Sequence, residues 1–167
     1  LREGRGEAGA ARTLRAQALE QAPAVAGQAD GTPFAWLADA DGRLGPVLEA
    51  IINGRYYWLP LNRLARFDIE APADLRDAVW MPAHFEFTNG GEVVGLVPTR
   101  YPGTDLAAGD ALALARRTDW VERAPGDFVG LGQRLLTTDN QDIGLMDLRS
   151  VVFDPPADAA GDTGTDA

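Results

Sequence analysis

A chain of 167 residues with a formal charge of −10 and a pI near 4.4 is long enough to bury one main core. Its acidity opposes sequence-independent nucleic-acid binding, which depends on Lys and Arg displacing phosphate counterions. The lack of cysteine excludes disulfides and thiolate zinc sites and permits a reducing compartment, and no apolar run approaches the roughly 18 to 20 residues of a membrane-spanning helix.

The opening LREGRGEAGAARTLRAQALEQAP breaks at Gly4 to Gly6, then carries a helical pattern from about Glu7 to Gln21 that ends near Pro23. Ala11, Leu14, Ala18 and Leu19 fall on one stripe by their three- and four-residue spacings. With Leu1 to Glu3 as the stump of a preceding helix, the stretch reads like the second helix of a tetratricopeptide-like hairpin. Residues 1–30 are therefore assigned to the end of a helical region of that kind.

From Phe34 the texture changes to short apolar runs punctuated by Gly, Pro and Asn, which predicts an α+β domain over residues 31–153, mainly an antiparallel sheet built from hairpins. PVLEAIINGRYYWLP reads as two strands around Asn53-Gly54, the pair suited to a type I′ turn. A second hairpin is expected in AHFEFTNGGEVVGLVP and a third strand pair in GQRLLTTD and GLMDLRSVVF. Between the first two, Phe67 to Glu70 can form a strand and PADLRDAVW about two turns of helix, with Pro72 near its start. ALALARRTDWV is ambiguous between helix and strand. DPPADAAGDTGTDA has no aliphatic residue larger than Ala and no positive charge, so residues 154–167 are expected to be a disordered acidic tail.

A two-residue Asn53-Gly54 loop pairs Ile52 with Arg55, Ala50 with Tyr57 and Leu48 with Leu59 on one face, read as core. The other face carries Val47, Glu49, Ile51, Tyr56 and Trp58 and is still mostly apolar, so it too needs a cover. The chain's own helices are the expected cover, at a cost of about 3 to 5 kcal/mol for Trp58→Ala. A partner is the alternative, which makes Tyr56 and Trp58 the candidate partner-binding residues. In the second hairpin Phe85, Phe87, Val94 and Leu96 are expected on one face and His84, Glu86, Thr88 and Val93 on the other.

No catalytic constellation is marked. His84 and Ser150 are the only residues of their types, and Ser150 sits in LRSVV rather than in a nucleophile elbow. Asp39-Ala40-Asp41-Gly42 has its glycine too early for a calcium loop and reads as a turn. Gly130-Leu131-Gly132 lacks the third glycine of a dinucleotide fingerprint, and no lysine is present for a phosphate loop. Glu49, Glu86, Glu92 and Asp119 lie on or near candidate strands without acid–base spacing. No catalytic residue, cofactor or metal site is expected, and the alternative is a small hydrolase using His84 or paired carboxylates.

Three long blocks, WLADADGRLGPVLEAIINGRYYWLPLNRL, DLRDAVWMPAHFEFTNGGEVVGLVPTRYPG and GLGQRLLTTDNQDIGLMDLRSVVF, together resemble the ImpE (SciE, TagJ) family of type VI secretion accessory proteins over about Phe34 to Phe153. The resemblance is strongest at Trp36 through Pro46, Glu49 through Pro60, Val79 through Ala83, Asn89 through Glu92, Pro98 through Gly103 and Gly130 through Arg134. In the family a serine is common where Gly42 stands and an aromatic where Leu61 stands. The resemblance implies a tetratricopeptide-like region before the domain. It also implies a cytoplasmic, non-catalytic adaptor that associates with the small sheath subunit TssB, here through an apolar groove taking a partner helix.

Overall fold

The computed structural model describes residues 8–104 and 109–155. Its elements in chain order are helix α1 (Ala8–Gln21), strands β1 (Gly27–Ala29), β2 (Thr32–Phe34), β3 (Leu37–Asp39), β4 (Val47–Ile52), β5 (Arg55–Pro60), β6 (Leu64–Ile69), β7 (Trp80–Phe87) and β8 (Glu92–Pro98), helix α2 (Asp110–Ala113), and strands β9 (Thr118–Ala124), β10 (Asp127–Gly132), β11 (Leu135–Thr138), β12 (Asp142–Gly144) and β13 (Ser150–Phe153). Eight strands form one sheet in the order β2-β1-β13-β6-β7-β8-β4-β5, with a β12-β11-β3 sheet and a β9-β10 ribbon beside it. The fold is α+β and dominated by antiparallel sheet.

The alternation of apolar and polar residues decides which face is buried. Phe67 pairs with Phe85 and with Val151, all fully buried, while the next register row, Ser150, Asp68 and His84, lies on the outer face. Leu48, Ala50, Ile52, Met81, Val97 and Phe153 complete the inner face, closed over by Leu37, Leu136, Leu145 and Leu148. Phe153 meets Phe34 edge-on at 6.1 Å and Phe67 at 6.2 Å. β4 touches β8 in register only at Ile51–Leu96, beside Gly95, where an added Cβ would stand 2.7 Å from the Ile51 carbonyl oxygen.

The first hairpin has the expected register, Ile52 to Arg55, Ala50 to Tyr57 and Leu48 to Leu59, and positive φ at both Asn53 (51°) and Gly54 (72°), as a type I′ turn requires. The second hairpin forms with a different register. Phe85 pairs with Val93 and His84 with Val94, so Val93 shares the inner side with Phe85 and Val94 is exposed. The cause is the loop: the Phe87 amide donates to the Gly91 carbonyl at 2.8 Å and Gly90 takes φ 80°, which makes a three-residue connection and moves every β8 side chain to the opposite face relative to β7.

Other expectations change in the same local way. PADLRDAVW forms turns instead of helix: the Asp77 carboxylate accepts the Ala73 and Asp74 amides at 2.7 and 3.0 Å, and the backbone closes turns from the Asp77 amide to the Asp74 carbonyl and from the Val79 amide to the Arg76 carbonyl. The third strand pair splits: β11 pairs with β12, while β13 leaves for β1 and β6. ALALARRTDWV is both helix and strand, as α2 followed by the start of β9. The sheet already begins at Gly27, ahead of the boundary at residue 31. On α1, Ala11 is buried but Leu14 and Leu19 are exposed. The stump at Leu1 to Glu3 and all of the tail beyond Pro155 lie outside the described residues.

Candidate interaction site

Tyr56 and Trp58 are 57% and 54% exposed. The expectation that the chain's own helices cover their face is therefore corrected: α1 reaches only as far as Arg15, Ala18 and Leu19, which with Leu44, Pro46 and Val47 form a groove beside Trp58. Nor is the opposite face core throughout, since Tyr57 is 40% exposed. Both departures follow from β5 being the last strand of its sheet.

Below the two aromatics lies a buried ionic chain. The Trp58 indole Nε1–H donates to the Tyr56 hydroxyl at 2.5 Å, and that hydroxyl donates to Glu49 Oε1. Glu49 is buried and its other oxygen meets Arg134 Nη2. Arg134, only 2% exposed, places Nη1 3.5 Å from Asp39 Oδ2, donates Nε–H to the Arg100 carbonyl at 3.2 Å, and lies 5.6 Å from the centre of the Tyr101 ring. Tyr101 donates its hydroxyl to Asp39 Oδ1 at 2.9 Å, and its ring sits 5.8 Å from that of Trp120 on β9.

The turn after β3 builds the rest. Asp39 Oδ1 accepts the Asp41 amide at 2.8 Å, and Asp41, fully buried, takes Arg43 through both oxygens and the Gly130 amide at 2.8 Å. Gly130 is required here because an added Cβ would run into the Tyr101 ring.

Among the described residues three carboxylates, Asp39, Asp41 and Glu49, thus face two guanidiniums, Arg43 and Arg134, one cation fewer than anions when all are ionised. Burial raises Asp39 to about 6, against the pull of the Asp41 amide and Arg134. Burial, then the charge of Asp39, also pushes Glu49 up. Burial would raise Asp41 too, but its bonds from Arg43 and Gly130 outweigh this and hold it below the usual carboxylate range. The cost of burying Arg134 lowers its guanidinium to about 10, and burial followed by the negative charge of Asp39 raises the Tyr101 phenol.

The cluster is tied up in pairs, so it offers orientation rather than a free acid or base. His84 lies elsewhere, on the outer sheet face, with Nε2 3.3 Å from Glu92 Oε2. Ser150, Asp68 and His84 do fall in one row across β13, β6 and β7. A nucleophile triad needs its histidine between the serine and the acid. Here the aspartate is in the middle, and the serine stands two strand spacings, roughly 9 to 10 Å, from the imidazole. Among the described residues no His, Asp and Glu group has the arrangement of a metal site.

The family model described as ImpE protein matches residues 31–152. The chain belongs to the ImpE family. It is 51% identical over 153 residues to the type VI secretion system accessory component TagJ of Pseudomonas aeruginosa, a match covering 92% of this chain and 52% of that protein. It also superposes on the crystal structure of protein VPA1032 from Vibrio parahaemolyticus with a TM-score of 0.80 at 26% identity, covering 88% of this chain and 55% of that one. The ImpE chain spans about half the length of these relatives.

In this ImpE chain four of the family-like stretches meet at the ionic cluster. Trp36 through Pro46 brings Asp39, Asp41 and Arg43; Glu49 through Pro60 brings Glu49, Tyr56 and Trp58; Pro98 through Gly103 brings Arg100 and Tyr101; Gly130 through Arg134 brings Gly130 and Arg134. Sequence reasoning paired Tyr56 with Trp58 correctly but missed the cluster beneath them. The available signal was charge at strand positions flanked by apolar residues, as Glu49 stands within VLEAII, since charged groups are seldom buried without partners.

Proposed function

We propose that this ImpE-family chain is a non-catalytic adaptor of type VI secretion that works in the cytoplasm and docks the small sheath subunit, a TssB-like protein, on the face bearing Tyr56 and Trp58. The observation that carries the reading is that two large aromatics stand more than half exposed while hydrogen bonds to a buried carboxylate hold them in place. Amphipathic rings fixed before binding lose little conformational entropy on contact, which is how interface anchors behave. The apolar groove beside Trp58, about 230 Å³, extends the same surface toward α1. The accessory role named for the Pseudomonas aeruginosa relative supports the assignment.

Trp58→Ala tests it. The exposed ring contributes little to folding, so the variant is expected to stay within about 1 kcal/mol of the parent in thermal or urea unfolding. Its affinity for the purified sheath subunit is expected to fall by about 2 kcal/mol or more, some 30-fold. Titration calorimetry reads the second quantity. A stable variant that binds the subunit as tightly as the parent overturns the proposal.

A further inference from the structure

The eight-stranded sheet has two edges, β2 and β5, and among the described residues only β2 is closed. In an antiparallel hairpin with a two-residue loop, the pair flanking the loop bonds inward, and every second residue from there turns its backbone groups inward as well. Asp30 and Gly31 form such a loop, with positive φ at both, between Ala29 and Thr32. The outward-facing residue of β2 is then Pro33. It has no N–H to offer, its carbonyl accepts the Asn140 side-chain amide at 2.9 Å, and the neighbouring Ala35 amide is taken by Asp139 at 2.8 Å. A three-residue strand with a central proline and a turn across it is a blunted edge.

The same count on β5 starts from Ile52–Arg55, turning Arg55, Tyr57 and Leu59 toward β4 and leaving Tyr56 and Trp58 facing out. The Leu61 amide bonding the Pro46 carbonyl at 3.0 Å lies on the inward phase, as the count requires. The two N–H and two C=O groups of Tyr56 and Trp58 belong to the wide pairs with Ile51 and Glu49 and point away from β4, toward a side where no described strand lies. The residues that carry the exposed aromatic side chains therefore also carry the open backbone donors and acceptors. Proline comes only at the end of the strand, at Pro60, and Arg55 is its sole charged side chain, with no carboxylate in salt-bridge range among the described residues.

We propose that the β5 edge receives an extended segment of a partner protein as a ninth strand, bonded to the backbone of Tyr56 and Trp58, with apolar side chains two apart against the two rings and a carboxylate against Arg55. Charge selects the partner over a second copy: RYYWLP and the following Leu61-Asn62-Arg63 hold no carboxylate to answer a second Arg55, and each copy would bring a charge of −10. The inference rests on the docking face proposed above and specifies the backbone contact made there.

Amide hydrogen exchange by NMR on the unaltered chain tests it with two probes, the purified small sheath subunit and a capped synthetic peptide alternating Val with Thr and carrying one Glu. In the free chain the Tyr56 and Trp58 amides are expected to exchange fast and those of Tyr57 and Leu59 slowly. Saturation with a strand-forming probe should slow Tyr56 and Trp58 by about tenfold or more and leave Tyr57 and Leu59 unchanged. Slow exchange at Tyr56 and Trp58 in the free chain overturns the inference. So does a sheath-subunit complex in which they remain fast, which would leave the adaptor function standing with a side-chain-only contact such as a helix in the groove. If the subunit does not bind but the peptide protects both amides, the edge site stands and the sheath assignment falls. Protection by neither probe overturns the inference.

Discussion

Arg134→Ala is expected to lower the stability of the chain by about 3 to 5 kcal/mol, because it strands Asp39 and Glu49 in the interior without the guanidinium that contacts both. The guanidinium holds both carboxylates from one plane, bonds the Arg100 carbonyl through Nε and lies over Tyr101. No single replacement side chain reproduces those contacts. Arg134→Lys should recover little, since an ammonium is a point charge on a flexible stem and cannot span two carboxylates and a carbonyl. Replacing Asp39, Glu49 and Arg134 together with apolar residues of similar volume should restore much of the stability, while releasing the Tyr56 hydroxyl. Urea unfolding followed by tryptophan fluorescence measures all three variants. A loss under about 1 kcal/mol for Arg134→Ala would show that water reaches the cluster.

The second large effect is a dependence on pH. Asp39 titrates at about 6 in the folded chain against an ordinary value of 3.8. A carboxyl with a raised folded pKa holds its proton more tightly in the native state than in the unfolded chain, so its contribution to stability falls as pH rises between those two values. At 1.36 kcal/mol per unit the change is about 3 kcal/mol for this group. Asp39→Asn keeps acceptors for the Tyr101 hydroxyl and the Asp41 amide but cannot ionise. Relative to the parent, the variant should therefore gain about 2 kcal/mol between pH 4 and pH 7 in urea unfolding, the rest of the change lying below pH 4. Asp41 works in the opposite sense, since its lowered pKa adds stability above the usual carboxylate range, while Glu49 works in the same sense as Asp39 and is pushed up by burial and then by the charge of Asp39, so the difference from Asp39→Asn reads Asp39 together with its coupling to Glu49. A difference independent of pH would mean that Asp39 is solvated.

The first hairpin was legible because its information is local. Asn53-Gly54 dictates a type I′ turn, the turn dictates the register, and the register puts Tyr56 beside Trp58. The second hairpin shows how little separates a correct reading from a wrong one, since one extra loop residue, with Gly90 at positive φ, turned β8 over relative to β7 and exposed Val94. PADLRDAVW offers about two turns of helix by pattern and still closes only turns, with backbone bonds from Asp77 to Asp74 and from Val79 to Arg76, before the chain enters β7 at Trp80.

The ionic cluster was not legible. Asp39, Glu49, Tyr101 and Arg134 are far apart in the chain, each stands in a stretch with an innocuous local reading, and only the packing of β3 and β4 against the chain around Arg100 and Arg134 brings them within bonding distance. By itself, then, the sequence determined the sheet-rich composition, the position and register of the Asn53-Gly54 hairpin and, through its long blocks, the ImpE family. Which strand lies at a sheet edge, and so whether Tyr56 and Trp58 are core or surface, was decided by the tertiary order β8-β4-β5. Alternation along a strand states that two faces differ, whereas the neighbour that covers either face comes from distant parts of the chain, whose arrival no local pattern records.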